Sequence, residues 1–367
     1  MSDDRTTRRG FMRDSAVAAA GVAAGMAAAK AAEVAGGKDP WKKTRSYNPD
    51  MEYRRLGKTG LWVSAVCLGG HWKRIDKMVP GVFKGRSWLS ADLDSAGFQK
   101  NRREVVSRCI ESGVNHIDAC TIQEVKAYSR ALKGRRDKMF LACSWYQREM
   151  RNGKNRTAKA LLETLDWGLK DAGLEYADLW RITMHEKSSR HTEGEVQEMM
   201  KGLEMAKKQG KVRFTGFSSH DRPHIKSLVE TFPQVVDVIV TPYTARSKVL
   251  PTDSLFESLK KHDVGMFGIK PFGGNSLFKG DASLDGPNAE QDDRLARMAI
   301  RYILCNPAMT APIPGMINTH QVDNMAKAVK ERRELDSAEK AELQKATDEM
   351  WANLPEDYQW LKDWEYV

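Results

Sequence analysis

The five cysteines are the residues whose chemistry can be judged most directly from spacing: Cys67, Cys109, Cys120, Cys143 and Cys305. No two of them form a C-x-x-C pair, which argues against a zinc ribbon, an iron–sulfur cluster and a thioredoxin-like redox pair. Several lie in apolar runs, where a free thiol acts as a small hydrophobic side chain. We therefore expect no metal site in this chain.

A carboxylate and an imidazole each stand at the end of an apolar run. Asp118 closes residues 114–118, and His185 follows residues 178–184. Such groups can carry acid–base chemistry. An aspartate at a strand end can also serve only as a cap or a charge partner, and a histidine followed by Glu186 and Lys187 also suits an ordinary loop. Their role depends on the elements that hold them.

Short apolar runs alternate with amphipathic segments from residue 51 onward. Segments such as 156–171 and 195–209 have apolar residues at helical intervals. Eight strands that are each followed by a helix predict an α/β fold, a closed parallel (β/α)8 or TIM barrel, with its site at the C-terminal ends of the strands. The predicted strands are 64–68, 114–118, 139–143, 178–184, 212–217, 236–240, 264–269 and 310–313.

An open, doubly wound sheet is the alternative architecture. It would usually carry a Gly-rich phosphate loop after its first strand, and residues 68–71 (LGGH) lack that spacing. Two additions to a minimal barrel are also predicted. Residues 71–100 form a long first βα loop, which should emerge on the site face as a lid or wall. The aromatic tail, 350–367, should dock on the barrel or on a partner subunit, because exposed aromatic rings are costly in water.

The first residues have the layout of a bacterial twin-arginine export signal. Arg8 and Arg9 are followed by Phe11, by a weakly apolar run over 16–29 and by a small-residue cleavage site at 29–31. The run is too short and too weakly apolar for a membrane span. We expect a signal peptide over 1–31, export to the periplasm or another extracytoplasmic space, and a linker over 32–50.

The net charge of +10 would favour anionic partners such as nucleic acid or a membrane surface. The lysines and arginines are scattered in short groups with acidic residues nearby, and no nucleic-acid recognition motif accompanies them. A solvated, mildly basic surface is the simpler interpretation. We expect no nucleic acid and no membrane integration.

Five segments together resemble the aldo-keto reductases. They are residues 51–64 with 68–70, 113–118 (GVNHID), 131–138 (ALKGRRDK), 210–220 (GKVRFTGFSSH) and 313–316 (IPGM), in the family's order. The resemblance covers most of residues 51–330. It implies a reductase-type barrel over 51–335, followed by a C-terminal helix and the aromatic tail over 336–367 packing on it.

The family's usual catalytic set, which the resemblance places at four positions, is altered here. Members typically supply an Asp and a Tyr from the end of the second strand, a Lys from the end of the third and a His from the end of the fourth. Asp118 stands at the first position, but the Tyr position falls on Gln123 or Thr121. Ser144 and Thr183 occupy the Lys and His positions. The resemblance leaves Asp118 as the surviving residue, with His185 two residues beyond the His position as a displaced candidate.

The nucleotide-binding positions implied by the resemblance are better preserved. Ser218 and Ser219 correspond to residues that bind the nicotinamide amide, and Tyr243 to the ring that stacks on it. The remaining correspondences are with residues that hold the pyrophosphate and the adenosine phosphate: Lys270, Pro271, Gly273, Gly315, Gln321 and Asn324. The resemblance implies NADP as the cofactor. Because no Arg or Lys that would clamp a 2′-phosphate is evident at residues 318, 319 or 321, NAD is also possible.

Two functions remain open. The first is an NADP(H)-dependent oxidoreductase that reduces a carbonyl or oxidises an alcohol, on a sugar-like or other small substrate, with the modified set of Asp118 and His185. The second is a barrel without reductase chemistry, since the usual Tyr and Lys are missing. Such a barrel would act as a binding or structural protein or run a non-redox reaction around the same two residues. A homo-oligomer is compatible with either.

Overall fold

The computed structural model describes residues 39–247 and 254–363. The predicted signal segment and residues 32–38 of the predicted linker lie outside these ranges, as do Trp364 and Tyr366 of the tail. Among the described helices, none has the length and apolar character needed to span a membrane.

A closed parallel barrel forms the centre of the chain. An antiparallel hairpin of β1 (Tyr53–Arg55) and β2 (Trp62–Ser64) precedes eight parallel strands that pair in sequence order. The backbone N–H groups of Cys67 and Gly69 donate to the carbonyls of Pro312 and Pro314, at 3.0 and 2.8 Å, and close the ring. The predicted (β/α)8 barrel is confirmed. Its strands are β3 (Leu68–Gly69), β4 (His116–Ala119), β5 (Phe140–Cys143), β6 (Ala177–Thr183), β7 (Val212–Ser218), β8 (Val238–Pro242), β9 (Gly265–Ile269) and β10 (Ala311–Pro312).

The helices alternate with these strands and begin at recognisable caps. Thr121 and Thr192 each form a capping box with the glutamate three residues later, and Thr157 caps the helix between them. The helices are α1 (Ala96–Glu111), α2 (Ile122–Ala131), α3 (Ala158–Ala172), α4 (Glu193–Lys208), α5 (Arg222–Thr231), α6 (Leu255–Lys261), α7 (Ala289–Leu304), α8 (Thr319–Lys330) and α9 (Ser337–Ala352).

Strand alternation creates two hydrophobic cores. On β5, Phe140 and Ala142 belong to a small cluster inside the barrel, whereas Leu141 and Cys143 face the larger cluster between strands and helices. The apolar runs look continuous in the sequence because both faces of a parallel strand are buried.

The hairpin covers the N-terminal end of the barrel. Leu56 and Val63 from the hairpin join the inner cluster. Gly57 has a φ of +48°, and a Cβ there would lie 2.4 Å from the backbone nitrogen of Gly265. Only glycine lets the hairpin approach the start of β9 so closely. The site must therefore lie at the opposite, C-terminal end.

Asp178 organises the same N-terminal end electrostatically. Its buried carboxylate accepts hydrogen bonds from Arg45, Arg136 and Arg213, at 3.1, 2.6 and 3.0 Å. Burial alone would raise the pKa of Asp178, but the surrounding guanidinium groups hold it well below its usual range. Arg45 belongs to the segment that the sequence assigns to a linker, so residues 39–50 are attached to the barrel here.

Candidate active site

A cavity of about 940 Å³ opens at the C-terminal ends of the strands. Strand-end residues such as Asp118 and Thr183 form its floor, and His71 and Trp88 of the long first βα loop form one wall. Residues from the loop after β9, the start of α8 and the C-terminal segment complete the lining. Its position follows the general rule for parallel barrels.

A buried ion pair lies on the cavity floor. Arg181 on β6 donates through Nε to Asp118 Oδ1 on β4 at 2.6 Å, and its Nη2 donates to Oδ2. The two side chains are 4% and 5% exposed, so each charge depends on the other for compensation. Asp118 is identifiable from the sequence pattern, whereas the role of Arg181 emerges only from this contact. A charged residue within an apolar strand is the available signal, since an unpaired charge is rarely buried.

Ser144 and Thr183, the residues at the positions expected for Lys and His, belong to a hydrogen-bonded network beside this pair. Arg181 Nη1 donates to Thr183 Oγ1 at 3.2 Å, Thr183 contacts Ser144 Oγ at 2.7 Å, and Ser144 donates to Glu149 Oε2 at 2.6 Å. Glu149 also accepts from the backbone nitrogens of Trp145 and Thr183 and from Trp180 Nε1. Burial raises the pKa of Glu149, whereas these hydrogen bonds favour its charged form.

A second polar group lies at the rim, close to Thr121, one of the two positions expected for the Tyr. His71 Nδ1 is 2.8 Å from Glu124 Oε1 and 3.9 Å from Cys120 Sγ. Burial alone would lower the pKa of His71, but Cys120 and Glu124 raise it to about 10. Thr121 is occupied as the helix cap. Tyr128 on α2 is fully buried in the core and donates to the Gly69 carbonyl at 2.8 Å.

His185 is not brought to Asp118. It does not line the cavity; its Nε2 accepts from Arg156 at 3.0 Å, and its ring stacks on His191 at 4.9 Å. Burial and the nearby Arg156 lower its pKa. The geometry gives the predicted catalytic role of His185 no support, because the strand ends before the residue and its side chain turns toward α3 and α4.

Six of the nine predicted nucleotide-binding residues line the cavity: Ser218, Lys270, Pro271, Gly315, Gln321 and Asn324. Ser219 is buried and donates to Ser188 Oγ at 2.7 Å. Tyr243 is also buried, and its hydroxyl accepts from Asn306 at 3.3 Å. Gly273 lies against Met350. These last three predictions therefore fall on residues beside the cavity rather than in its lining.

The C-terminal segment forms a wall of the same cavity. The Trp360 ring stacks on His220 with centroids 4.2 Å apart, and Tyr358 packs so close to Gly274 that a Cβ there would lie 2.7 Å from the ring. Lys270 Nζ is 3.1 Å from His220 Nε2. Burial lowers the pKa of Lys270 to about 8. A cation that titrates near neutral pH thus faces the interior of the cavity.

Comparison with known proteins agrees with this architecture. The sequence model of the Aldo/keto reductase family matches residues 98–348, more than half of the chain. The chain belongs to the aldo/keto reductase family. It is similar in structure to an aldo-keto reductase from Bacillus halodurans in its holo form, with 18% identity and a TM-score of 0.58 over 81% of this chain and 96% of that one. The apo form gives 19% identity and a TM-score of 0.54, with the same coverage.

The charge partner of Asp118 can now be considered in the context of the family. Aldo-keto reductases are oxidoreductases that generally use NAD(P)H and act on small carbonyl compounds. In this aldo-keto reductase the partner of Asp118 is the guanidinium of Arg181, and Ser144, the residue expected at the position of the usual Lys, donates to Glu149. A guanidinium keeps its charge at every working pH and cannot lend a proton as an ammonium can.

Replacing Arg181 with Met should destabilise the protein by about 3–5 kcal/mol, because the Asp118 carboxylate would remain buried without compensation. Urea unfolding measures the change. The matched control is Arg130→Met, which breaks an exposed ion pair with Asp94 and should cost less than about 1 kcal/mol. Equal losses in the two variants would show that the buried pair contributes no special stability.

Proposed function

We propose that this protein is an NADP(H)-dependent oxidoreductase that interconverts a carbonyl and an alcohol on a small, sugar-like substrate. The observation that carries the proposal is the continuity of one cavity. It extends from the Asp118–Arg181 pair, past Lys270, to Gln321 and Asn324. These are the places where the family resemblance puts the reacting centre, the pyrophosphate and the adenosine end.

In this proposal, Arg181 stabilises the negative charge that develops on the substrate oxygen. Hydride addition to a carbonyl leaves an alkoxide, and a fixed positive charge in a site sheltered from water stabilises it. Asp118 holds the guanidinium in place by two hydrogen bonds. Thr183, Glu186 and Arg151 add hydrogen-bonding groups around the floor, which suits a substrate with several hydroxyls.

The adenosine end decides between NADP and NAD. Asn324 donates to the carbonyl of Asp293, and His320 pairs with the Asp293 carboxylate at 2.5 Å. Asp292 and Asp293 both line the cavity. The 2′-phosphate of NADPH would lie near these carboxylates, whereas NADH carries no such phosphate. NADPH and NADH are therefore compared directly in every binding experiment.

Binding of NADPH should weaken as the pH rises through about 8. Lys270 must be protonated to attract a phosphate, and its pKa in the free protein is about 8. Above that pH, affinity should fall by up to about tenfold per pH unit. NADPH fluorescence titrations between pH 6.5 and 9.5 measure it.

The control for this titration removes the cation. Lys270→Met should bind NADPH weakly with little dependence on pH, whereas the exposed Lys133→Met should behave as the wild type does. Failure of the wild type to bind either NADPH or NADH would contradict the proposed function.

A ligand-binding barrel without redox chemistry is the second candidate, favoured by the Ser144 and Thr183 replacements. It predicts tight nucleotide binding with no hydride transfer to any carbonyl in a broad panel of sugars and aldehydes. The oxidoreductase predicts transfer that Arg181→Lys and Asp118→Asn each reduce by at least about 100-fold.

We also propose that the protein is exported folded by the twin-arginine route, on the strength of Arg8, Arg9 and the apolar run that follows. The double variant Arg8→Lys, Arg9→Lys should keep its signal and stay in the cytoplasm, whereas the matched Arg5→Lys variant should be processed normally. Cell fractionation followed by intact-mass measurement checks both. Processing of the double variant at the wild-type rate would contradict the export route.

A further inference from the structure

Three side chains of different metal-binding chemistry meet at the rim of the cavity. The Nδ1 atom of His71, the Sγ atom of Cys120 and a carboxylate oxygen of Glu124 all lie within 4.8 Å of one another. Within residues 39–247 and 254–363 no other group of His, Cys, Asp and Glu satisfies this criterion. His71 and Cys120 both line the cavity that contains the Asp118–Arg181 pair.

The barrel fixes this arrangement through two neighbouring strands. His71 follows β3, Cys120 directly follows β4, and Glu124 stands in the first turn of α2. Gly70 makes the approach possible, because a Cβ there would lie 2.1 Å from the Glu124 carboxyl carbon. The His71 ring is held on its other side by Trp88, with centroids 4.5 Å apart. Cys120 and Glu124 are thus fixed at the end of β4 and the start of α2, and His71 stands at the start of the first βα loop, two residues after β3.

Only one oxygen of Glu124 is available for this cluster. Oε2 accepts from the backbone nitrogens of Cys120 and Thr121, at 2.6 and 3.2 Å, as part of the capping box. Oε1 remains directed at His71 Nδ1, 2.8 Å away. Glu124 is fully buried, so its second oxygen is preorganised to face a cation at the rim.

The positions of the three side chains distinguish a metal-binding site from a nucleophilic relay. In a thiol–imidazole–carboxylate relay, the thiol and the carboxylate contact different nitrogens of the ring, so that the proton can pass through it. Here Cys120 Sγ and Glu124 Oε1 both face Nδ1. Three donor atoms therefore converge on one region of space, which is the arrangement of ligands around a cation.

We propose that His71, Cys120 and Glu124 bind a divalent transition metal of the zinc class. Thiolate, imidazole and carboxylate together suit zinc, whereas calcium and magnesium prefer all-oxygen sites. Three protein ligands leave one position open toward the cavity, as in catalytic zinc sites. The assignment of that position to a substrate carbonyl or hydroxyl oxygen rests on the proposed function; metal binding itself does not.

This site differs from the expectation of no metal site, because the spacing of the three residues in the chain gives no sign of it. His71 is far from Cys120 in the chain, and no C-x-x-C or H-x-x-x-H pattern marks the three residues. The pairing of β3 with β4 brings them together.

Cobalt titration of the metal-free protein tests the proposal. After chelation and removal of the chelator, one equivalent of Co²⁺ should produce a thiolate-to-cobalt charge-transfer band in the near ultraviolet, and Zn²⁺ should displace it. Cys120→Ser should abolish the band. Loss of a residue that only hydrogen-bonds to a metal ligand costs about 10- to 100-fold in metal affinity. Loss of a ligand itself, in His71→Ala or Glu124→Gln, should therefore weaken Co²⁺ binding by about 100-fold or more.

Cys305→Ser is the matched control, because Cys305 is an exposed free thiol away from the cluster. It should titrate as the wild type does. Absence of a stoichiometric band in the folded wild type, or an unchanged band in Cys120→Ser, would overturn the proposal. Circular dichroism verifies that each variant is folded. If Cys120→Ser does not fold, Cys120→Ala replaces it in the series.

Parallel NADPH titrations separate this proposal from the proposed function. Nucleotide binding without a cobalt band would reject the metal site alone. A cobalt band without binding of NADPH or NADH would reject the proposed function alone.

Discussion

The buried ion pair between Asp118 and Arg181 is the interaction on which the site depends. Two full charges lie almost completely out of water, and each is tolerable only because the other is in contact with it. The pair connects β4 and β6 across the intervening β5, and so fixes the floor of the cavity. Thr183, Ser144 and Glu149 extend it into one hydrogen-bonded layer.

This layer gives the cavity an organised floor made of one charged pair and three further polar side chains. The Arg181 guanidinium keeps its positive charge throughout the working pH range. In the proposed function, that charge lies where an alkoxide would form on the substrate. A second polar group, His71, Cys120 and Glu124, lies at the rim of the same cavity, with its donor atoms within 4.8 Å of one another.

The fold was predictable because it depends on patterns that are local in the chain. The eight predicted strands overlap the observed ones, with ends that differ by a few residues; the prediction at 64–68 joined the end of β2 to the start of β3. The two predicted helices match α3 and α4, and the capping box at Thr192 begins α4 two residues earlier than predicted. The strand pattern survives sequence divergence because burial of both strand faces requires it.

The site was predictable only where the family pattern is retained. Asp118 and six nucleotide-side residues line the cavity, but Arg181, Glu149 and the rim cluster were missed. Their roles come from contacts between strands and loops far apart in the chain, which no spacing records. His185 was chosen for its distance along a strand, yet the strand ends at Thr183 and the chain turns away.

A crystal structure of the protein grown with saturating NADPH tests the central claim most directly. The account predicts one nucleotide in the cavity, with the nicotinamide above Asp118 and Arg181, the pyrophosphate at Lys270 and the adenosine end beside Gln321 and Asn324. A cavity that stays empty at saturating nucleotide, or a nucleotide bound away from this pair, would contradict it.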